Sequence, residues 1–279
     1  MEDFTFEGTR MAYVRQGESG PPVVMLHSAG SSHLIWTPQI AALSRAYRVY
    51  AVDLPGYGAS SRPADGYTLE RYTELIRAFI EHHELTEVGL VGNCVGSAVG
   101  LTLARRHPEL IRAVVAINPL TESTAMHGDW RQAARLARAL PDDSARKLSG
   151  WHTPRWVARR TARSWFTTRR AYRECPYVAP LSSGFPARAL IYLVRDLSSF
   201  ATLDDWPDRD GLPPICVIWG NQNRVLSAAA GRTVNARLRP DRAEYLDGCG
   251  HVPMLERAPD VTAIITEFLT AHLPADSVH

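Results

Sequence analysis

Val91-Gly92-Asn93-Cys94-Val95-Gly96 is the most informative stretch of this sequence. The apolar run from Glu87 to Val91 predicts a buried strand, and the run from Gly96 to Arg106 predicts a helix packed on it. Between the two, Cys94 must make a sharp, strained turn, and the glycines two residues to either side of it remove steric clashes. This is the pattern of a nucleophile elbow, G-x-S-x-G, with sulfur in place of oxygen. A lone cysteine among apolar residues is usually a small core residue, so motifs elsewhere in the chain must support the interpretation.

The composition indicates one large globular domain with an insertion, because 45% of the 279 residues are hydrophobic and 22% are charged. The amino terminus has neither a basic nor an apolar targeting segment, and no apolar run is long enough to span a bilayer. The four cysteines show no disulfide-like or zinc-like spacing, which is typical of a reducing compartment: Cys94, Cys175, Cys216 and Cys249. We therefore expect a cytoplasmic protein without a membrane partner, a metal or another cofactor.

Strand and helix patterns alternate along most of the chain, and one long insertion interrupts them from about Thr121 to Asp210. Alternation of this kind predicts a largely parallel sheet covered on both faces. Beside the elbow strand, the predicted strands are Arg10–Val14, Pro22–Leu26, Tyr47–Val52, Ile111–Ile117, Pro214–Trp219 and Ala243–Leu246. Helices are predicted from about Thr68 to His83 and from Ala258 to His272.

Three further motifs occur in a fixed order around the elbow. His27-Ser28-Ala29-Gly30 follows a strand and precedes Trp36, and Asp53-Leu54-Pro55-Gly56-Tyr57-Gly58-Ala59-Ser60 follows the next strand. After the elbow comes Gly250-His251-Val252-Pro253-Met254-Leu255-Glu256. With these four motifs the chain resembles the α/β-hydrolase fold superfamily, of the capped single-domain type, with a cysteine in the elbow. The resemblance covers nearly the whole chain.

The resemblance implies an α/β fold in which helices flank a mostly parallel central sheet. The core domain would comprise residues 1–120 and 211–279, and a helical cap of residues 121–210 would be inserted after the sixth strand. Ligands in open α/β sheets bind at the carboxyl ends of the strands, where the four motifs would meet.

The resemblance also implies roles for individual residues. Cys94 would be the nucleophile and His251 the base, and the backbone amides of Ala29 and Val95 would form the oxyanion hole. A cysteine beside a histidine favours a thiolate–imidazolium pair, and the amino end of the following helix stabilises the negative sulfur. We therefore expect the pKa of Cys94 to be depressed.

The third triad position departs from the family pattern. Where the family has an aspartate three residues after a strand-ending glycine, this chain has Asn223. With a preformed thiolate–imidazolium pair, His251 needs orientation more than a counter-charge, and an amide oxygen can accept its ring N–H, as in other Cys-His-Asn enzymes. Alternatively, Asn223 shapes a turn, and Asp247 or Glu122 supplies the acid.

The insertion is rich in arginine and aromatic residues. Twelve basic residues lie between Arg131 and Arg173, against two acidic residues, Asp142 and Asp143. They form either a solvated helical face or a surface for an anionic partner, such as a coenzyme A phosphate, an acyl carrier protein or an acidic small molecule. No recognition motif points to nucleic acid. The expected substrate-binding residues are Ser28, Trp36, Asn93 and Trp165.

Three functions are compatible with these residues. The first is hydrolysis of a small acyl ester or thioester through an acyl-cysteine. The second uses the same residues in an acyltransferase, a cyclase or an eliminating lyase of a biosynthetic pathway, because loss of the triad acid weakens the activation of water. The third is a catalytically silent protein that binds a small molecule.

Overall fold

A computed structural model of the chain describes residues 1–150, 153–177, 187–206 and 208–273. Within these ranges eight strands form one sheet in the order β1-β2-β4-β3-β5-β6-β7-β8. The six strands from β3 to β8 run parallel, and β2 pairs antiparallel with both β1 and β4. The strands are β1 Glu2–Phe6, β2 Thr9–Gln16, β3 Pro22–Leu26, β4 Arg48–Val52, β5 Val88–Asn93, β6 Ile111–Ile117, β7 Ile215–Gly220 and β8 Arg242–Leu246.

Both faces of the sheet are covered by helices, which confirms the predicted fold class. Alternate strand residues point to opposite faces, so that Leu90 and Val91 of β5 belong to different core clusters. One face packs against α2 (Leu69–His82) and α3 (Val95–Arg106), and the other against α1 (Thr37–Leu43) and a carboxyl-terminal helix. The helices after β7 are α10 (Ala228–Leu238), α11 (Pro253–Glu256) and α12 (Ala258–His272).

Among the described strands, β1 is the one that the sequence pattern missed. It is an edge strand of five residues, and most of its side chains are exposed, so that Phe4 alone is buried. So short a segment with one buried side chain carries little periodicity, and its pairing with β2 provides the hydrogen bonds that define it. The other predicted strands occur within a few residues of their expected bounds.

Helices occupy most of the described chain between β6 and β7. They are α4 (Glu122–Met126), α5 (Arg131–Ala139), α6 (Asp142–Ser149), α7 (Arg155–Ser164), α8 (Arg169–Glu174) and α9 (Ala187–Arg195), followed by a 3-10 segment, Leu197–Leu203. Helices therefore follow the sixth strand as expected, whereas the division into a core and a cap at residues 121 and 210 stays a prediction. Two aromatic residues of the insertion, Trp151 and Phe185, lie outside the described residues.

None of the helices in the described ranges combines the length and the apolar character that crossing a bilayer requires.

Two glycines of the elbow allow the backbones of β3, β5 and α3 to approach closely. A Cβ atom on Gly92 would lie 2.4 Å from the carbonyl carbon of Gly96, and a Cβ atom on Gly96 would lie 2.2 Å from the carbonyl oxygen of Leu26. Both distances are far below van der Waals contact, and the opposing atoms belong to the backbone. Any side chain at these positions would therefore push α3 away from the sheet.

Candidate active site

Cys94 occupies the turn between β5 and α3, in a backbone conformation that side chains rarely adopt. Its φ is 56° and its ψ is −113°. The turn is held on both sides, because the Cys94 N–H donates to the carbonyl of Ile117 at 3.0 Å and the Cys94 carbonyl accepts from the N–H of Leu120 at 3.3 Å. Strain that surrounding contacts maintain in this way is typical of functional sites.

The predicted oxyanion amides lie beside the Cys94 sulfur, because the backbone N–H groups of Val95 and Ala29 both act to lower the pKa of its thiol. The loop that carries Ala29 is itself fixed. The N–H of Ser31 donates to the Ser28 carbonyl at 3.1 Å, and the Nε2 atom of His27 accepts from the N–H of Leu54 at 2.9 Å. Two donors are thus preorganised around one point, as an oxyanion hole requires.

The expectation of a preformed thiolate–imidazolium pair is wrong for this structure. Burial raises the pKa of Cys94 to about 12, against the smaller opposing effect of the backbone amides of Val95 and Ala29. Burial also lowers the pKa of His251 to about 3. Removal from water disfavours the charged form of each group, and so both are neutral near pH 7.

The backbone of His251 is held by three segments. Its N–H donates to the carbonyl of Trp165 at 2.8 Å. Its carbonyl accepts from the side-chain amides of Asn93 at 3.3 Å and of Asn118 at 3.2 Å. The histidine loop is therefore tied to the elbow, to the end of β6 and to the segment after α7.

Asn118 is a site residue that the sequence interpretation missed. Its side chain is fully buried and its φ is 44°, in the left-handed region that asparagine tolerates better than most residues. Its Oδ1 accepts from the N–H of Gly220 at 3.0 Å, while its Nδ2 donates to the carbonyls of Gly250 and His251. The sequence feature that could have identified Asn118 is its position directly after Ile117, at the carboxyl end of a parallel strand, where polar residues often contribute to a binding site.

Asn223 closes a turn instead of hydrogen-bonding to His251. Its Oδ1 accepts from the N–H groups of Val225 at 3.0 Å and Leu226 at 3.2 Å. Neither the Nδ2 of Asn223 nor the Nδ1 of His251 has a hydrogen-bond partner among the described residues. The amide oxygen that was expected to orient His251 is thus occupied by the backbone.

The two alternative acids are also engaged elsewhere. Asp247 is exposed and accepts from the side chain of Asn221 at 2.7 Å. Glu122 is paired with Arg138 at 2.8 Å. In the described parts of the chain, no carboxylate hydrogen-bonds the ring of His251.

Cys94 and His251 both line a cavity of about 260 Å³. Helices α5, α7 and α9 contribute much of its wall, together with Ala29 and Gly30 of the oxyanion loop. Of the four expected substrate-binding residues, Trp165 lines the cavity, whereas Ser28, Trp36 and Asn93 do not.

The three residues that do not line the cavity make other contacts. Ser28 hydrogen-bonds the hydroxyl of Ser31 at 3.0 Å, and Trp36 is fully buried in the core cluster that lies against α1 and α12. Asn93 donates to the His251 carbonyl. Ser28 and Asn93 therefore hold the loops of the site, whereas Trp36 belongs to the core.

In the described part of the insertion, no arginine or lysine lines the cavity. Arg155, Arg159 and Arg160 of α7 are exposed, whereas Ala158 and Ala162 of the same helix are buried. The arginine-rich surface of α7 therefore faces solvent.

Folding stability should depend on pH through His251. The folded protein keeps His251 neutral down to about pH 3, while the unfolded chain protonates this residue below about pH 6.5. The unfolded state then binds more protons in this window, so stability falls as the pH falls. We expect the free energy of unfolding of the wild type, relative to that of His251→Gln, to drop by about 2 kcal/mol between pH 7 and about pH 5. Urea unfolding at both pH values measures this difference. Equal changes in the two proteins would contradict the neutral, buried state of His251.

Asn118→Asp should destabilise the protein by about 1–3 kcal/mol. The carboxylate still accepts from the Gly220 N–H, but its second oxygen faces the carbonyls of Gly250 and His251, which need a donor. Asn235→Asp is the matched control, because the hydroxyl partner of Asn235, on Tyr245, can donate instead of accept. Urea unfolding at neutral pH compares the free energies of unfolding of the two variants. Equal losses of stability would contradict the role of the Asn118 amide in holding the histidine loop.

Known proteins resemble the chain over nearly its whole length. It is 33% identical over 277 residues to 2-hydroxy-6-oxo-6-(2'-aminophenyl)hexa-2,4-dienoic acid hydrolase of Metapseudomonas resinovorans, covering 94% of this chain and 88% of that protein. It is 28% identical over 267 residues to 2-(acetamidomethylene)succinate hydrolase of Mesorhizobium japonicum, covering 92% of this chain and 91% of that protein. The solved structure of the enol-lactonase of Burkholderia xenovorans superposes with a TM-score of 0.76 at 24% identity, covering 96% of this chain and all of that one.

The named relatives are hydrolases, and the structural likeness extends through the sheet that carries Cys94 and His251. A family model described as the alpha/beta hydrolase fold matches residues 21–258. On this match and on the strand order observed here, the chain belongs to the α/β-hydrolase fold family.

Proposed function

We propose that the protein hydrolyses an ester or thioester of a small acyl group through an acyl-cysteine on Cys94. One observation carries this proposal. The Cys94 sulfur stands in a strained elbow, on the wall of the cavity that His251 also lines, and two backbone amides converge on it. A small buried core cysteine has no need of such donors.

In the proposed reaction the substrate carbonyl oxygen takes the place of the sulfur at the amides of Ala29 and Val95. The sulfur attacks the carbonyl carbon, and its proton passes to the unprotonated ring nitrogen of neutral His251. Negative charge therefore develops on the carbonyl oxygen, where the donors already point, rather than on the resting sulfur. The leaving alcohol or thiol takes the proton from His251, and the acyl group stays on Cys94.

Deacylation repeats these steps with water. His251 accepts a proton from the water as its oxygen attacks the acyl carbon, and then returns the proton to the Cys94 sulfur, releasing a carboxylic acid. For Asn223 to assist as third triad member, its Oδ1 must leave the Val225 and Leu226 amides and accept the ring N–H of His251. We propose that Asn223 shapes the turn in the free protein and orients His251 when the imidazolium forms.

A transferase, cyclase or eliminating lyase is the second candidate, and the unpartnered Nδ1 of His251 favours it. Without an acceptor at this atom, the imidazolium needed to activate water gains little stabilisation. An acyl-cysteine that water attacks slowly can pass its acyl group to another nucleophile, and in a lyase His251 is the base. A silent binding protein would keep the cavity without either reaction.

We also propose a cytoplasmic protein that receives its substrate on an anionic carrier. Cys94, Cys216 and Cys249 are free thiols, as in a reducing compartment. The exposed arginines of α7 offer cations to the phosphates of coenzyme A or to an acyl carrier protein.

Exposure to acyl thioesters should leave an acyl group on wild-type protein and none on Cys94→Ala. Intact-protein mass spectrometry over time measures the adduct, and its decay in plain buffer identifies a hydrolase. Decay that requires an added amine or thiol identifies a transferase. Absence of both adduct and turnover would remove Cys94 as the nucleophile and leave a lyase or a binding protein.

Asn223→Asp should accelerate deacylation by about tenfold or more. One carboxylate oxygen keeps the turn with Val225 and Leu226, and the second can accept the ring N–H of His251 and stabilise its imidazolium. Asn221→Asp adds the same charge two residues away and serves as the control. The rate constant for loss of the acyl adduct is the measurement. An unchanged rate in Asn223→Asp would show that residue 223 does not act on His251.

A further inference from the structure

The cavity at Cys94 is lined by uncharged side chains throughout its described wall. Apart from Cys94 and His251, its polar side chains are the hydroxyl of Thr161 and the indoles of Trp130 and Trp165, and the others are glycine, alanine or branched aliphatic residues. His251 is neutral because burial lowers its pKa. Residues 151–152 and 178–186, which the structure does not describe, include no arginine or lysine in the sequence.

No arginine or lysine is among the described residues that line the cavity, although the helices of its wall carry several arginines. On α5, Ala134 and Ala137 line the wall, whereas Arg131 and Arg135 are exposed. On α7, Thr161 lines the wall, and the arginines of that helix are exposed or half-buried. Arg195 of α9 is bound to the Leu140 carbonyl and to Asp142.

From this distribution of charge we propose that the site selects acyl groups that are neutral and apolar, and rejects acyl groups that carry a carboxylate. The inference rests on the function proposed above, and it identifies the substrate class. A carboxylate carried into this wall loses its water and meets no cation, which should lower kcat/KM by about a hundredfold or more. Each methylene of an apolar chain instead gains about three- to fourfold until the cavity is full.

The deciding test compares three thioesters of one chain length. S-phenyl thiooctanoate is neutral, the S-phenyl monothioester of octanedioic acid ends in a carboxylate, and the methyl ester of that second compound restores neutrality with added bulk. We expect kcat/KM for the thiooctanoate to exceed that for the acid by about a hundredfold, with the methyl ester close to the thiooctanoate. Equal rates for the acid and the thiooctanoate would overturn the proposal, as would equal rates for the acid and its methyl ester.

Two sets of variants separate charge in the wall from charge on the surface. Thr161→Lys places a cation in the wall and should reduce the ratio of kcat/KM for the thiooctanoate to that for the acid by at least about tenfold. Thr161→Met adds similar length without charge and should leave this ratio unchanged. Arg159→Gln with Arg160→Gln removes exposed cations of α7 and should also leave the ratio unchanged. A lower relative rate for the acid in that double variant would show that the surface arginines hold the acyl carboxylate, contrary to the proposal.

A binding measurement keeps the inference testable if no thioester is turned over. The methyl ketones 2-nonanone and 8-oxononanoate mimic the neutral and the acidic acyl group and cannot be hydrolysed. Their binding to Cys94→Ala protein is measurable by tryptophan fluorescence, since Trp130 and Trp165 line the cavity. Stronger binding of 2-nonanone without turnover supports the selectivity while refuting the hydrolase. Equal or stronger binding of 8-oxononanoate overturns the selectivity, whatever the turnover.

Discussion

The close approach of backbone to backbone at the elbow is the constraint on which the rest of the site depends. Gly96 contacts the carbonyl oxygen of Leu26 with no room for a Cβ atom, so α3 begins directly against the carboxyl ends of β3 and β5. Cys94 is thereby forced into its strained conformation, and its sulfur meets the amides of Ala29 and Val95. The position of Cys94 and of the two amides at the carboxyl end of the sheet therefore follows from one packing contact.

Burial then determines the electrostatic state of the two reactive residues. Both Cys94 and His251 are almost completely removed from water, so each prefers its neutral form. A cysteine–histidine pair on an exposed helix terminus would ionise, whereas burial keeps the proton of this pair on sulfur in the free protein. In the proposed reaction, charge then develops on the substrate carbonyl oxygen at the two amides rather than on the resting sulfur.

The region between β6 and β7 acts on the site in two ways. Its main chain holds the histidine loop, because Trp165 accepts from the His251 N–H and Thr167 donates to Glu256, which in turn accepts from the Gly250 N–H. Its side chains form an apolar wall on one side and an arginine-rich surface on the other. Under the proposed function, the arginine-rich surface recognises the carrier by charge, and the cavity recognises the acyl group by apolar contact.

The parts of this protein that follow from local chain properties were predictable from the sequence: the strand–turn–helix elbow, the parallel sheet, and the motif loops at the carboxyl ends of its strands. These depend on periodicity and on glycines within a few residues of one another. Contacts between distant segments could be identified only from the tertiary structure. They include the hold of Asn93 and Asn118 on His251, the commitment of the Asn223 oxygen to its turn, and the pairing that creates β1. The neutral state of Cys94 and His251 and the outward direction of the arginines belong to the same group. Burial and hydrogen-bond partners are set by which segments meet in space, and no pattern within one segment carries that information.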